Sequence, residues 1–291
     1  MSAGPRVVAV GGGHGLAASL RAVRGYAGEV TAVVAVADDG GSTGRLRRAT
    51  PRPAPGDLRK CLVALAGQPS ALSRAMEHRF ADGELAGHAF GNLLIAALEE
   101  SEGDLVRALD EVGLLLGAVG RVLPATSVPV ELRAVVASGG EVHGQVAVAA
   151  RADVERITLE PPDAPACSDA VRAILTADQV VLGPGSLFTS VLAATAVEDI
   201  GRALRDTAAP LVYVCNLRPQ GGESEGYGVV DHVQALARHG VEPDVVIHDP
   251  STMASPEPGE LACAVVAATV ARPSGLAHDP DLLGAVLAGL V

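Results

Sequence analysis

Arg6-Val7-Val8-Ala9-Val10-Gly11-Gly12-Gly13-His14-Gly15 is the first patterned stretch of the chain, and an apolar run over 30–37 follows it, ending in Asp38-Asp39-Gly40-Gly41-Ser42-Thr43-Gly44. Each is a buried-strand pattern that breaks into a glycine-rich turn; a helical pattern starts at Leu16 after the first, and Arg45, Arg47 and Arg48 follow the second. In an open α/β sheet such turns gather at the carboxyl ends of the strands, where ligands bind. Glycine lets a backbone approach a phosphate closely, and the free N–H groups of a helix N-terminus favour an anion. The expectation is a three-layer, Rossmann-like α/β fold with a mostly parallel sheet and a nucleotide or phospho-ligand site on its edge.

Spacing narrows the ligand. The dinucleotide pattern G-x-G-x-x-G starts at Gly11 and Gly13, but its third glycine falls on Leu16, and Asp38-Asp39 lies inside a glycine loop rather than at an ordinary strand end. Both features weaken an NAD reading. A P-loop needs Gly-Lys-Ser/Thr, and the only lysine, Lys60, is followed by Cys61. Asp38 is the candidate ligand for a Mg²⁺ ion bridging phosphates, a role that suits one or two carboxylates. The alternative is a hydrogen bond to a sugar hydroxyl. Neighbouring residues on a strand face opposite ways, so one ligand-facing Asp of the pair is expected. His14 has three readings: a general base, a phosphate contact or a turn residue.

Outward from this core, Leu16, Leu20 and Val23 share a helix face that Gly25 and Gly28 end. A proline-rich loop over 50–55 leads to a helix from Gly56-Asp57 through Leu62 and Leu65, with Asp57 as N-cap. Arg59 on that helix is expected to turn back to the phosphate site. Helices are predicted over 72–80, 88–100 and 105–116; Gly91 inside the second costs roughly 1 kcal/mol against alanine, which points to a close approach by a ligand or a backbone. His88 and Asn92 share a face of that helix. Over 130–159 the rhythm changes to short alternating strands at 130–136, 145–149 and 154–159, an antiparallel subdomain or sheet extension inserted in a single domain of residues 1–291. Parallel strands return at 179–182, 211–215 and 245–248, with turns at Gly183-Pro184-Gly185-Ser186 and at Asn216, and a helix closes the chain over 281–290. Four strand-end turns, at 11–15, 38–44, 183–186 and 216–222, can share one sheet edge and form the site.

Composition excludes several classes. A net charge of -12 over 291 residues argues against nucleic acid as a partner. Between Asp38 and Lys60, however, six cations (Arg45, Arg47, Arg48, Arg52, Arg59, Lys60) face three acids (Asp38, Asp39, Asp57), a local +3 suited to a small polyphosphate. No apolar run reaches the ~20 residues of a membrane span, and no signal-peptide pattern precedes Arg6. Cys61, Cys167, Cys215 and Cys263 are scattered without a C-x-x-C pair, as expected of reduced thiols in a cytoplasmic protein. No catalytic triad and no H-E-x-x-H metal pattern can be assembled from spacing.

Gly11-Gly12-Gly13-His14-Gly15-Leu16, the run from Ala37 to Arg47, Pro55-Gly56-Asp57-Leu58-Arg59, Gly91-Asn92-Leu93-Leu94, Leu182-Gly183-Pro184-Gly185-Ser186-Leu187-Phe188-Thr189-Ser190 and Tyr213-Val214-Cys215-Asn216-Leu217 occur in order along nearly the whole chain. Together they resemble the gluconeogenesis-factor proteins of YvcK type, whose superfamily includes 2-phospho-L-lactate transferase. The resemblance implies a cytoplasmic regulator that binds UDP-sugars, notably UDP-N-acetylglucosamine, and links central carbon metabolism and gluconeogenic growth to cell-wall synthesis and cell shape. Family members often carry Thr at the position of His14, which implies hydrogen bonding there rather than proton transfer. Carried over by position, the ligand residues are Gly12, Gly13, His14, Gly15, Asp38, Asp39, Ser42, Arg45 and Arg59, with Asn92, Gly185, Ser186 and Asn216 as a second group. Where the family tends to read Arg-His-Asp, this chain has Ala277-His278-Asp279, and 246–262 is shortened; both departures fall at the sugar end of the implied site. The expected protein is thus a binding protein, a homodimer with 130–159 as a candidate interface. The alternative is a Mg²⁺-dependent phospholactyl transferase, against which three Phe, three Tyr and no Trp leave little to cover a deazaflavin ring.

Overall fold

The computed structural model describes residues 4–291; the first three residues, part of the stretch read for a leader peptide, lie outside them. β1 (Arg6–Gly11) leads through Gly12 into α1 (Gly13–Val23), and β2 (Glu29–Val34) through an extended run into α2 (Gly41–Ala49). Helices α3 (Pro55–Leu65), α4 (Ala71–Glu77), α5 (Phe90–Glu102) and α6 (Leu105–Leu116) precede β3 (Arg121–Pro124). β4 (Glu131–Val136), β5 (Glu141–His143), α7 (Gln145–Ala149) and β6 (Val154–Glu160) form the insertion. The main fold resumes with α8 (Ser168–Leu175), β7 (Gln179–Leu182), a π-helical segment (Leu187–Leu192) running into α9 (Ala193–Thr195), α10 (Glu198–Asp206), β8 (Leu211–Val214), α11 (Val229–Arg238), β9 (Val245–His248), β10 (Ala264–Ala267) and α12 (Pro280–Ala288).

Seven parallel strands lie in the order β10-β9-β8-β7-β1-β2-β3. β1 is central: Val7 is paired with Val30 on one side and Gln179 on the other. A parallel strand covered on both faces needs a continuous apolar run, and every residue of β1 from Val7 to Gly11 is buried. α1 packs on α3 and α12, and α8 packs on α10. α1 begins at Gly13, ahead of the apolar periodicity at Leu16, with an extended Gly12 as its N-cap.

The insertion is a three-stranded antiparallel sheet in the order β5-β4-β6. Leu132, Ala134 and Val136 of β4 are buried and alternate with outward residues. The chain leaves and re-enters the main fold at adjacent points, since Cys167 N–H donates to Ala125 O and Thr126 bridges Ala166. Residues 145–149 correct the strand expectation. Gln-Val-Ala-Val-Ala forms α7, entered through Gly144 at φ 90°. The third strand is instead β5, before that glycine.

Candidate functional site

The carboxyl ends of β1, β2, β7 and β8 share one edge of the sheet. Between β1 and β7 the strand order reverses, and the crevice that a doubly wound sheet leaves there is a cavity of about 680 Å³. His14, Ser186, Asn216, Arg218, Glu223 and His278 are among its lining residues.

The β1 turn is held open by glycine for reasons internal to the protein. A Cβ on Gly15 would fall 2.2 Å from Pro184 O and 2.6 Å from Gly185 Cα, so this glycine lets the β7 turn pack directly on α1. A Cβ on Gly12 would fall 2.5 Å from Asp57 Oδ2, so the carboxylate rests against the loop. Gly13 takes φ +66°, a left-handed conformation that glycine adopts without strain. No side chain caps α1, whose amino end faces the crevice. His14 is exposed, and its pKa is lowered, first by desolvation and then by the charge of Lys60.

At the β2 turn the two aspartates part company. Asp38 Oδ1 accepts the Gly40 N–H at 2.9 Å, and burial, with the nearby Asp57, pushes its carboxyl pKa up. Asp39 Oδ1 accepts the Val146 N–H at 3.0 Å and so points to α7. Ser42 Oγ receives the Ala89 N–H at 3.3 Å and the Asn92 Nδ2–H at 3.2 Å, and lies 3.2 Å from His88 Nδ1. With two donors already on this oxygen, its own proton goes to Nδ1, leaving His88 with its hydrogen on Nε2. Ser42 and Asn92 therefore tie α2 to α5.

The arginines are engaged elsewhere. Arg45 Nη1 donates to Ala86 O at 2.7 Å. Arg59, buried, crosses Gly91 to donate from Nη1 to Met76 O at 3.0 Å; a Cβ on Gly91 would meet Arg59 Cδ at 2.7 Å and Met76 O at 2.8 Å. The close approach expected at Gly91 is thus made by Arg59 and the Met76 carbonyl. Asp57 does not cap α3, which starts two residues earlier at Pro55 after Ala54. Its carboxylate binds Lys60 Nζ at 3.0 Å, beside Gly12.

At the other wall Asn216 clamps the β7 turn: its Oδ1 accepts the Gly185 N–H and its Nδ2 donates to Gly185 O, both at 2.9 Å. Glu223, from the loop after β8, is 2% exposed and accepts the Thr189 N–H on Oε2 at 3.1 Å; burial raises its pKa. His278 Nε2 donates to Cys215 O at 3.2 Å, and burial pushes its pKa down to about 4. Sequence reasoning does not single out Glu223, which lies in a polar loop without periodicity; its only signal is an acid within the segment that follows Asn216.

Among the described residues no three His, Cys, Asp or Glu side chains come together as a metal site. Asp39 is committed to Val146 and Asp57 to Lys60. Of the carboxylates at the two turns, Asp57 is thus already neutralised by the Lys60 ammonium and Asp39 is turned to α7, and this set does not fit a resident ion.

A family model described as 2-phospho-L-lactate transferase CofD matches residues 7–264. A provisionally named gluconeogenesis factor of Mycobacterium tuberculosis is 45% identical over 98% of this chain and 90% of its own. The chain belongs to the gluconeogenesis factor family. Another family member, from Deinococcus radiodurans, is 46% identical over 85% of this chain, which covers only 54% of that longer protein. The crystal structure of a UPF0052 family protein from Bacillus halodurans superposes with a TM-score of 0.90 at 32% identity, covering 97% of each chain. The expected α/β architecture is therefore the family's own, and the superfamily link to the transferase holds for this gluconeogenesis factor family chain as well. Among the described residues no helix is long and apolar enough to cross a membrane.

Proposed function

We propose that the protein binds a UDP-sugar, UDP-N-acetylglucosamine in the first instance, across the crevice between β1 and β7, and acts in the cytoplasm as a non-catalytic regulator of carbon flow toward the cell wall. The observation that carries this reading is the crevice itself. Its volume of about 680 Å³ falls in the range of about 300–1,000 Å³ usual for small-molecule sites, and its floor is the uncapped end of α1. Such a helix end favours a diphosphate. Asn216 and His278 spend their hydrogen bonds on backbone groups, which suits residues that hold a shape rather than move protons. The family's gluconeogenic name agrees with a role in carbon metabolism.

The test is calorimetric titration of the purified protein with UDP-N-acetylglucosamine, UDP, GDP and NAD, with chromatography of the ligand afterwards. Saturable binding of the UDP-sugar, recovered unchanged, is the expected result; turnover of the sugar nucleotide, or no binding, overturns it. The phospholactyl transferase reading has one observation in its favour, the Asp38 and Asp57 carboxylates beside the β1 turn of a chain matched by the transferase family model. Selective binding of guanine nucleotide in the same titration would favour it.

A further inference from the structure

We infer that Lys60 brings to the ligand diphosphate the positive charge that a divalent cation would otherwise supply, so that the crevice binds its ligand without a metal ion; this rests on the diphosphate reading above. The charge around the β1 turn requires a cation. Asp57 lies against Gly12, within 2.5 Å of where its Cβ would be, and close enough to Asp38 to raise the pKa of that carboxyl. Two carboxylates at this spot would repel a diphosphate at the end of α1 unless a positive group intervened.

The arginines of the loop are turned elsewhere or, for Arg48, exposed near the end of α2, and Arg218 lines the wall formed by the loop after β8. Arg45 donates to Ala86 O, Arg59 to Met76 O, Arg47 to the carbonyls of Ala37, Asp38 and Val130, and Arg52 pairs with Glu99. Lys60 is the only lysine of the chain, and its Nζ lies 3.0 Å from Asp57 Oδ1. The two side chains are 23% and 14% exposed, so this is not a solvated pair on an outer helix face. Through Asp57 the ammonium sits beside Gly12, and it lowers the His14 pKa and opposes the rise at Asp38. The chemistry of lysine suits this position, because a compact point charge on a flexible stem can stay bonded to Asp57 and turn a second N–H toward a phosphate oxygen.

The experiment titrates inorganic pyrophosphate and UDP-N-acetylglucosamine, each in EDTA and in Mg²⁺, into the wild type, Lys60→Gln and Lys60→Arg, with a thermal melt to show that each variant folds. Gln keeps most of the stem and removes the charge; Arg keeps the charge. The expected result is wild-type binding of both probes in EDTA, changed by less than about twofold on adding Mg²⁺. In Lys60→Gln the affinity falls about tenfold to a hundredfold in EDTA, the loss expected for a charge-assisted contact, and Lys60→Arg retains most of it. Wild-type binding that needs Mg²⁺, a folded Lys60→Gln that binds like the wild type, or failure of pyrophosphate to bind in EDTA overturns the role of Lys60. Pyrophosphate that binds through Lys60 while the UDP-sugar does not bind leaves that role standing and removes the ligand reading. UDP-sugar binding indifferent to Lys60 does the reverse.

Discussion

Glu223 sets its carboxylate on the Thr189 amide at 3.1 Å, so an acid from the loop after β8 caps the helical segment after β7 and locks the two walls of the crevice together. The group is buried and its pKa is raised. Replacing it with Ala leaves the Thr189 N–H without a partner in a buried place, at a cost of about 1–3 kcal/mol. Glu223→Gln keeps an acceptor and removes the titration. A carboxyl whose folded pKa is raised contributes stability below its unfolded value near 4.5 that is lost as pH rises through the folded value. Glu223→Gln should therefore gain on the wild type from pH 4.5 upward, read as the difference in Tm across that range; a constant difference would show that the carboxyl does not titrate in the fold.

Asp39 spends its carboxylate on the inserted segment. Its bond to Val146 joins the β2 turn to the inserted sheet, while Glu223 N–H donates to Ala149 O at the other end of the same short helix. α7 is thus bonded to the β2 turn at one end and to the loop after β8 at the other, with Ala149 lining the crevice. Asp39→Ala should cost about 0.5–1.5 kcal/mol and speed amide exchange in the peptide containing 145–149, with Asp39→Asn between it and the wild type. Unchanged exchange in that peptide would mean that the insertion is held by its own sheet.

How far these features can be read from the sequence depends on how local their causes are. β1, β7 and β8 are legible because a strand buried on both faces is a continuous apolar run, whatever surrounds it. Residues 145–149 are not: five alternating residues suit a strand equally well, and the deciding facts are the Gly144 turn and a carboxylate 107 residues away. The glycines at 12 and 15 announce a close approach, but what approaches, Asp57 and the Pro184 carbonyl, comes from elements distant in sequence. Arg59 is expected to turn back to the phosphate from the helix after the proline-rich loop, whereas its guanidinium bonds to the Met76 carbonyl.

Gly91 and Gly113 make opposite predictions from the same substitution. In a helix interior alanine is favoured over glycine by about 1 kcal/mol. At Gly113 a Cβ would meet only Ala118 and Leu62 at 3.9 and 4.0 Å, ordinary contact, so Gly113→Ala should stabilise by about 0.5–1 kcal/mol. At Gly91 it would strike Arg59 and the Met76 carbonyl inside 3 Å, and Gly91→Ala should destabilise by about 1–3 kcal/mol despite the better propensity. Urea denaturation of the two variants checks both signs; stabilisation at Gly91 would mean that Arg59 does not run where it is placed.

His278 gives the fold an acid limit whose direction can be worked out. Its imidazole is buried, donates to Cys215 O, and has its pKa pushed down to about 4, although Asp249 nearby works the other way. The unfolded chain binds a proton there near the ordinary value of 6.5, whereas the fold resists it, so stability is complete above 6.5 and drains away as pH falls toward 4. At pH 5 the loss from this group alone is about 2 kcal/mol relative to neutral pH. Burial lowers the pKa of His232 and His239 too, and these add in the same direction. The raised carboxyls of Asp38 and Glu223 offset part of it, since they bind protons in the fold first. Those contributions are common to the wild type and His278→Gln, which keeps an N–H for Cys215 O but cannot be protonated. The wild type should lose more stability than His278→Gln between pH 6.5 and 4.5 in denaturant melts, and the two curves should run parallel above 7. Parallel curves throughout would place the His278 pKa near its solution value and the ring in contact with water.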